Sequence, residues 1–235
     1  MPEAPLKNIA LLIDADNASH NGIDPVLTVL AELGQVNIRR AYGNWAKPAL
    51  ANWNKITHRF GISPHQQFDL TKGKNATDMA MTIDAMDLLY AGKVDGFGIM
   101  SSDSDFTPLV TRLRQDGLIV YGFGSEKAPE AFKTACTRYI EVDQLIRTAS
   151  ADVAKPPSNS VDRDVIDLLG DAWKAANRDE EGFAKLQEVG QIAGNRSSFD
   201  VRNYGFKRLS ELFRTIENFD LKRRDDGQLY VKRLH

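Results

Sequence analysis

Two short stretches of this 235-residue chain end apolar runs in carboxylates. Ile9 to Ile13 is followed by Asp14, Asp16 and Asn17; Gly96 to Met100 is followed by Ser101, Ser102, Asp103 and Asp105. A continuous apolar run of this length fits a strand covered on both faces of a parallel sheet. The acids would then stand at the carboxyl ends of two strands, where open α/β folds bind ligands. A third contributor is Lys72-Gly-Lys74-Asn75-Ala-Thr77-Asp78, where a helix begins. Taken singly, each acid has an ordinary explanation. Asp78 suits a helix start capped by Thr77 or Asn75, Asp103 a turn or cap, and Asp16-Asn17 an Asx turn. Together, four carboxylates at two strand ends and a fifth at a helix start repel one another unless a cation neutralises them. Oxygen-only ligands suit Mg²⁺ or Mn²⁺ rather than zinc.

A cation held there performs phosphoryl chemistry, and phosphodiester hydrolysis fits that description. Lys72 and Lys74 are placed to neutralise a phosphate, or are simply exposed loop lysines. The alternatives in the sequence are weaker. His20, His58, His65 and His235 show no metal-ligand spacing, no Walker loop or GxSxG elbow is present, and Gly122-Phe123-Gly124 is a lone GxG. Asp14-Ala15-Asp16 also has the spacing of a haloacid-dehalogenase-like phosphatase, in which the first Asp becomes a covalent phosphoaspartate. Such enzymes place a Ser/Thr strand end before their lysine, whereas Lys72 and Lys74 here precede Ser101 and Ser102.

The elements that must position these acids follow an alternating pattern. Strands are expected at 9–13, 35–41, 62–68, 96–100, 118–123 and 139–142. Helices are expected at 25–33, 48–60, from 76, at 106–115 and at 129–135. This βαβα order implies a parallel sheet with helices on both faces. Residues 149–160, with a Pro-Pro pair and no large apolar side chains beyond Val153, read as a linker between a first domain, 1–148, and a second, 161–235. In the second, helices are expected at 161–176, 183–193 and 201–215, the last with Phe206, Leu209, Phe213 and Ile216 on one face. Asp225-Asp226-Gly227 between alternating runs predicts a hairpin. Three helices closed by a hairpin make a small winged-helix (α+β) module.

Charge and composition narrow the function classes. The formal net charge is −2, so charge identifies a nucleic-acid binder only through its distribution. Residues 152–195 carry 5 Lys+Arg against 9 Asp+Glu, while 196–235 carry 10 against 6. The positive end could track a phosphate backbone or be a mixed solvated surface. The single cysteine, Cys136, cannot form an intramolecular disulfide, and there is no signal-like apolar stretch, so a cytoplasmic protein is expected. The longest apolar runs fall far short of the roughly 20 residues that span a bilayer, so no membrane partner is expected.

The ordered set LLIDADN, KGKNATDMAMTIDA and GIMSSDSDFTPLVTRLRQDG resembles the NYN family, a branch of the PIN-like metal-dependent nucleases also described as LabA-like or DUF88. The similarity spans roughly residues 6–147. It implies an α/β/α fold with a parallel sheet, an acidic pocket and Mg²⁺- or Mn²⁺-dependent endoribonuclease activity. It assigns Asp14, Asp78, Asp103 and Asp105 as metal-binding catalytic acids. Asn17, Ser101, Ser102, Thr77 and the less secure Asp16 fall around them. The stretch from Tyr204 to Phe213, with Phe219-Asp-Leu and Gly227-Gln-Leu-Tyr-Val, resembles the OST-HTH or LOTUS domain over about 160–234. That implies a module binding RNA or a protein partner, with Arg202, Lys207, Arg208, Arg214, Lys222, Arg223 and Arg224 as candidate phosphate contacts. The other reading is an RNA-binding regulator that keeps the fold and cuts little or nothing.

Overall fold

A computed structural model describes residues 6–68, 76–150, 161–197, 199–224 and 226–234. The chain divides into two compact units between Ala149 and Ser150.

The first unit alternates strands and helices: β1 (Leu6–Asp14), α1 (Ile23–Leu33), β2 (Gly34–Gly43), α2 (Ala51–Phe60), β3 (Ser63–Gln66), α3 (Ala76–Tyr90), β4 (Gly96–Met100), α4 (Thr107–Gln115), β5 (Ile119–Gly124), α5 (Glu130–Ala135), β6 (Arg138–Glu141) and α6 (Val142–Ser150). The six strands form one parallel sheet in the order β3-β2-β1-β4-β5-β6. Strand order reverses between β1 and β4, whose register runs from Ile9 opposite Gly96 to Ile13 opposite Met100. The crevice outside those two strand ends is the switch point of the sheet.

Side-chain alternation along β1 feeds two separate cores. Ile9, Leu11 and Ile13 pack with Val26 and Leu30 of α1 and Trp53 of α2. Ala10 and Leu12 pack on the other side, with Met81, Ala85 and Leu88 of α3 and Phe106, Leu109, Val110 and Leu113, at and after the start of α4. Asp14 continues the even register, so its carboxylate belongs to the α3/α4 side. The expected strand 62–68 is shorter than its apolar reading, and the expected strand end at Val142 is instead the first residue of α6. Val142 and Leu145 are buried and Ile146 packs against the same core, the i, i+3, i+4 spacing of a helix. This helix occupies the first two residues of the expected linker; the rest, 151–160, lies outside the described residues.

The second unit comprises α7 (Arg163–Ala175), β7 (Ala184–Lys185), α8 (Leu186–Arg196), a 3-10 turn (Val201–Tyr204), α9 (Leu209–Thr215), β8 (Phe219–Arg223) and β9 (Leu229–Arg233). The strands form an antiparallel sheet in the order β7-β9-β8. The single helix expected over 201–215 is broken. Gly205 ends the 3-10 turn in the left-handed region at φ 79°, and Arg208 is extended at φ −138° before α9 begins. Phe206 and Leu209 still pack against the buried Leu212, Phe213 and Ile216, so the apolar spacing foretold burial but not continuous helix. The hairpin forms between β8 and β9 as expected, with Gly227 at φ 75°.

Candidate metal centre

Asp14 is the last residue of β1 and is fully buried. Its Oδ2 accepts hydrogen bonds from Asn17 Nδ2 and Ser101 Oγ, both at 2.9 Å. Its Oδ1 is buried with no hydrogen-bond partner. Burial pushes this carboxyl up, against hydrogen bonds from the Asn17 side chain, Ser101 and the Asn17 backbone that pull it down.

The segment after β4 wraps around the same point. Ser101 Oγ, bonded to Asp14, also accepts from the Asp103 N–H at 3.1 Å. Asp103 in turn caps a 3-10 turn, its Oδ1 accepting from the Asp105 N–H at 2.9 Å. Ser102 Oγ accepts from the Ser125 N–H at 2.8 Å, which ties the loop to the end of β5. Gly124 closes that end because no larger residue fits. A Cβ there would lie 2.6 Å from the Ser101 carbonyl oxygen and 2.7 Å from Ser102 Oγ. The GxG of the sequence is therefore a close backbone approach behind the acidic loop.

From the helix side, Asp78 sits in the first turn of α3. One carboxylate oxygen each from Asp78, Asp103 and Asp105 lies within 4.8 Å of the others. The Asp78 carboxyl is pushed up to about 6, by burial first and then by the carboxylates of Asp14, Asp103, Asp105 and Asp16. Asp16 is held apart from the cluster. Thr77 Oγ1 donates to its Oδ2 at 3.0 Å, and Lys47 Nζ lies 3.4 Å from its Oδ1. Thr77, expected as a helix cap, thus spends its hydroxyl on Asp16. Lys47 was not singled out by the sequence, because nothing in its Ala46-Lys47-Pro48 setting relates it to an acid 31 residues earlier. Asp84 was missed for the same reason. From α3 it accepts from Arg40 Nη1 and Tyr42 Oη of β2, on the α3 side of the sheet. Lys72, Lys74 and Asn75 lie outside the described residues.

The donor set fits a small divalent cation. Two oxygens on opposite sides of Mg²⁺, each about 2.1 Å from it, stand about 4.2 Å apart. A cluster held within 4.8 Å therefore needs only a small contraction. The unpartnered Asp14 Oδ1 is a second sign, since a buried carboxylate oxygen without a donor is unfavourable until a cation or proton compensates it.

The candidate phosphate contacts of the second unit do not form one set. Arg202 is tied to the buried Asp200 at 3.0 Å. Arg224 pairs with Asp179 at 2.5 Å and Glu181 at 3.4 Å, and lies over the rings of Phe183 and Tyr230. Lys222 lies 3.9 Å from Asp220. Lys207, Arg208, Arg214 and Arg223 are exposed, and Arg208 and Arg223 line a cleft between the hairpin and the starts of α8 and α9. Among the described residues, no helix is long and apolar enough to cross a membrane.

The chain is 28% identical over 123 residues to the uncharacterized protein MJ0482 of Methanocaldococcus jannaschii, a match covering 50% of this chain and 48% of that protein. The chain thus spans about half the length of the curated relative it matches. A protein of unknown function, VPA0982, from Vibrio parahaemolyticus has a crystal structure that aligns with a TM-score of 0.49 at 19% identity, over 62% of this chain and 98% of that one. The NYN domain model matches residues 8–143, and the OST-HTH/LOTUS domain model matches 156–231. The chain belongs to the NYN domain family, a PIN-like nuclease family, and carries an OST-HTH/LOTUS domain, a kind of module that binds RNA.

Proposed function

We propose that this chain is a Mg²⁺- or Mn²⁺-dependent endoribonuclease whose winged-helix unit recruits RNA. The observation that carries the reading is the convergence of Asp78, Asp103 and Asp105 within 4.8 Å at the switch point of a parallel sheet, with Asp14 outside that group but within electrostatic reach of Asp78. A bound divalent cation supplies Lewis-acid activation of water and of the scissile phosphodiester. Asp78, Asp103 and Asp105 hold it, with Asp14 Oδ1 as the deepest carboxylate oxygen of the set. Asn17 and Ser101 fix the Asp14 carboxylate by occupying its other oxygen. Ser101 and Ser102 fix the loop that carries Asp103 and Asp105. Thr77 and Lys47 hold Asp16 in place, which leaves it a supporting role.

The phosphatase reading asks Asp14 to be an accessible nucleophile. With 0% exposure and one oxygen engaged by two donors, Asp14 is suited to holding charge rather than to attacking an incoming phosphate. The test is incubation of end-labelled structured and single-stranded RNAs with Mn²⁺, Mg²⁺ or EDTA, beside the Asp14→Asn/Asp103→Asn double variant. Internal cuts made only by the wild type, and only with metal, are expected. Equal inertness of both proteins on all substrates, with RNA binding retained, would give the chain to the regulator reading instead.

A further inference from the structure

The second unit contains a cleft of about 390 Å³ lined by Lys185, Arg208 and Arg223, three hydrogen-bonding side chains, Gln187, Ser210 and Gln228, and the leucines 186, 209 and 229 around Gly227. Among the described residues that line it, none is an acid. The volume lies in the range of small-ligand sites.

None of the three cations has a carboxylate within ion-pair distance among the described residues, whereas Arg202, Lys222 and Arg224 do. Asp226 lies in electrostatic reach of Lys185, and both its oxygens also accept hydrogen bonds. Oδ1 accepts from the Gln228 N–H at 2.9 Å and Oδ2 from Tyr230 Oη at 2.8 Å. Leu186 and Gln187 are the first two residues of α8, so their N–H groups have no carbonyl partner within the helix. Lys185, at the cap position, makes no side-chain capping bond to them.

Three cations without an ion-pair partner among the described residues, neutral donors and a leucine surface together match one kind of ligand, an anion attached to a flat apolar body. We infer that this cleft binds one nucleotide of an RNA. Its phosphate lies among Lys185, Arg208 and Arg223, and its base or sugar lies against Leu209 and Leu229. Arginine forks suit phosphate oxygens, and phosphate contacts set the register of a nucleic acid on a protein. The inference deepens the proposed recruitment of RNA by this unit and rests on it. The phosphate is either an internal phosphodiester or a 5′-terminal monophosphate.

The test uses the full chain in EDTA, with fluorescence anisotropy of a short labelled single-stranded RNA prepared with a 5′-phosphate or a 5′-hydroxyl. Arg208→Ala/Arg223→Ala is compared with wild type and with Lys174→Ala, an exposed cation paired to Asp171 on α7. Far-UV circular dichroism confirms that the exposed substitutions leave the fold intact. The double variant is expected to bind about tenfold more weakly or worse. Its log affinity against log salt should flatten by up to about 0.7, for the one phosphate that the cleft neutralises. Lys174→Ala should bind as wild type. A preference for the 5′-phosphate that vanishes in the double variant assigns the terminal group, and equal binding of the two RNAs by the wild type assigns an internal one. Unchanged affinity and slope in the double variant would overturn the cleft while leaving recruitment standing. Absence of RNA binding by the wild type would remove recruitment and the cleft together.

Discussion

The acidic rim of the sheet and the basic end of the winged-helix unit handle charge in opposite ways. At the rim, three carboxylates are gathered within 4.8 Å and a fourth is buried with one bare oxygen, and hydroxyls and amides orient the group. In the winged-helix unit, several cations are neutralised by neighbouring acids and serve the fold, as Arg224 does by bracing the hairpin against Asp179 and Glu181. Only a subset has no ion-pair partner among the described residues. Concentrated charge of one sign is unfavourable to folding, so where it persists it marks a ligand; where it is paired on the spot, it marks structure.

The contrast is sharpest in cleavage. Asp78→Asn or Asp103→Asn should reduce metal-dependent RNA cleavage by more than about 100-fold, beyond the 10- to 100-fold typical of groups that only orient a ligand. RNA affinity measured in EDTA should stay unchanged. Ser101→Ala tests the orienting layer, since it removes the hydroxyl that joins Asp14 to the Asp103 loop. A loss of roughly 10- to 100-fold in cleavage or in Mn²⁺ affinity is expected.

Asp84→Asn separates rim chemistry from rim support. Asp84 accepts from both Arg40 and Tyr42. Weakening that junction should cost about 1–3 kcal/mol, read as a lower urea midpoint with unchanged m-value. Arg224→Ala should cost about 1 kcal/mol in the same measurement, for its ion pairs and ring contacts, and should leave the salt dependence of RNA binding nearly intact.

The smallest effect is a pH dependence of the metal-free protein. The Asp78 carboxyl is held at about 6 in the fold against 3.8 ordinarily, so the native state binds more protons than the unfolded chain between these values. Stability from this group is therefore fully present below about pH 4 and is lost as pH rises through about 6. After discounting for the solvent exposure of the side chain, the change is on the order of 1 kcal/mol, or about 2–4 °C in Tm. Asp78→Asn should flatten that part of the Tm profile, and Mn²⁺ affinity should rise with pH across the same window because binding displaces the proton.

The rim was readable in the sequence because its parts are local. The apolar runs ending at Ile13 and Met100 specify two strands, and the acids follow them directly. Alternating strand and helix patterns then place both strand ends at the switch point. What lay hidden depends on distant partners or on backbone conformation. Lys47 beside Asp16 and Asp84 beside Tyr42 become neighbours only when β2 is laid against β1 and α3 packs over the sheet. The break at Gly205 hid inside an apolar spacing that suits a helix equally well, and α6 hid behind a strand-like Tyr139-Ile140. The pairing of Arg224 could not be read from its basic neighbourhood, because Asp179 and Glu181 meet it only in the folded unit.

The most direct test of the central claim is calorimetric titration of Mn²⁺ into metal-free wild type and Asp78→Asn/Asp103→Asn at pH 7, with Tm measured alongside. Saturable binding to the wild type, a Tm that climbs with Mn²⁺ concentration, and loss of both in the variant are the predicted result. Equal Mn²⁺ binding by the two proteins, or none by either, would contradict the assignment of these acids to a metal ion.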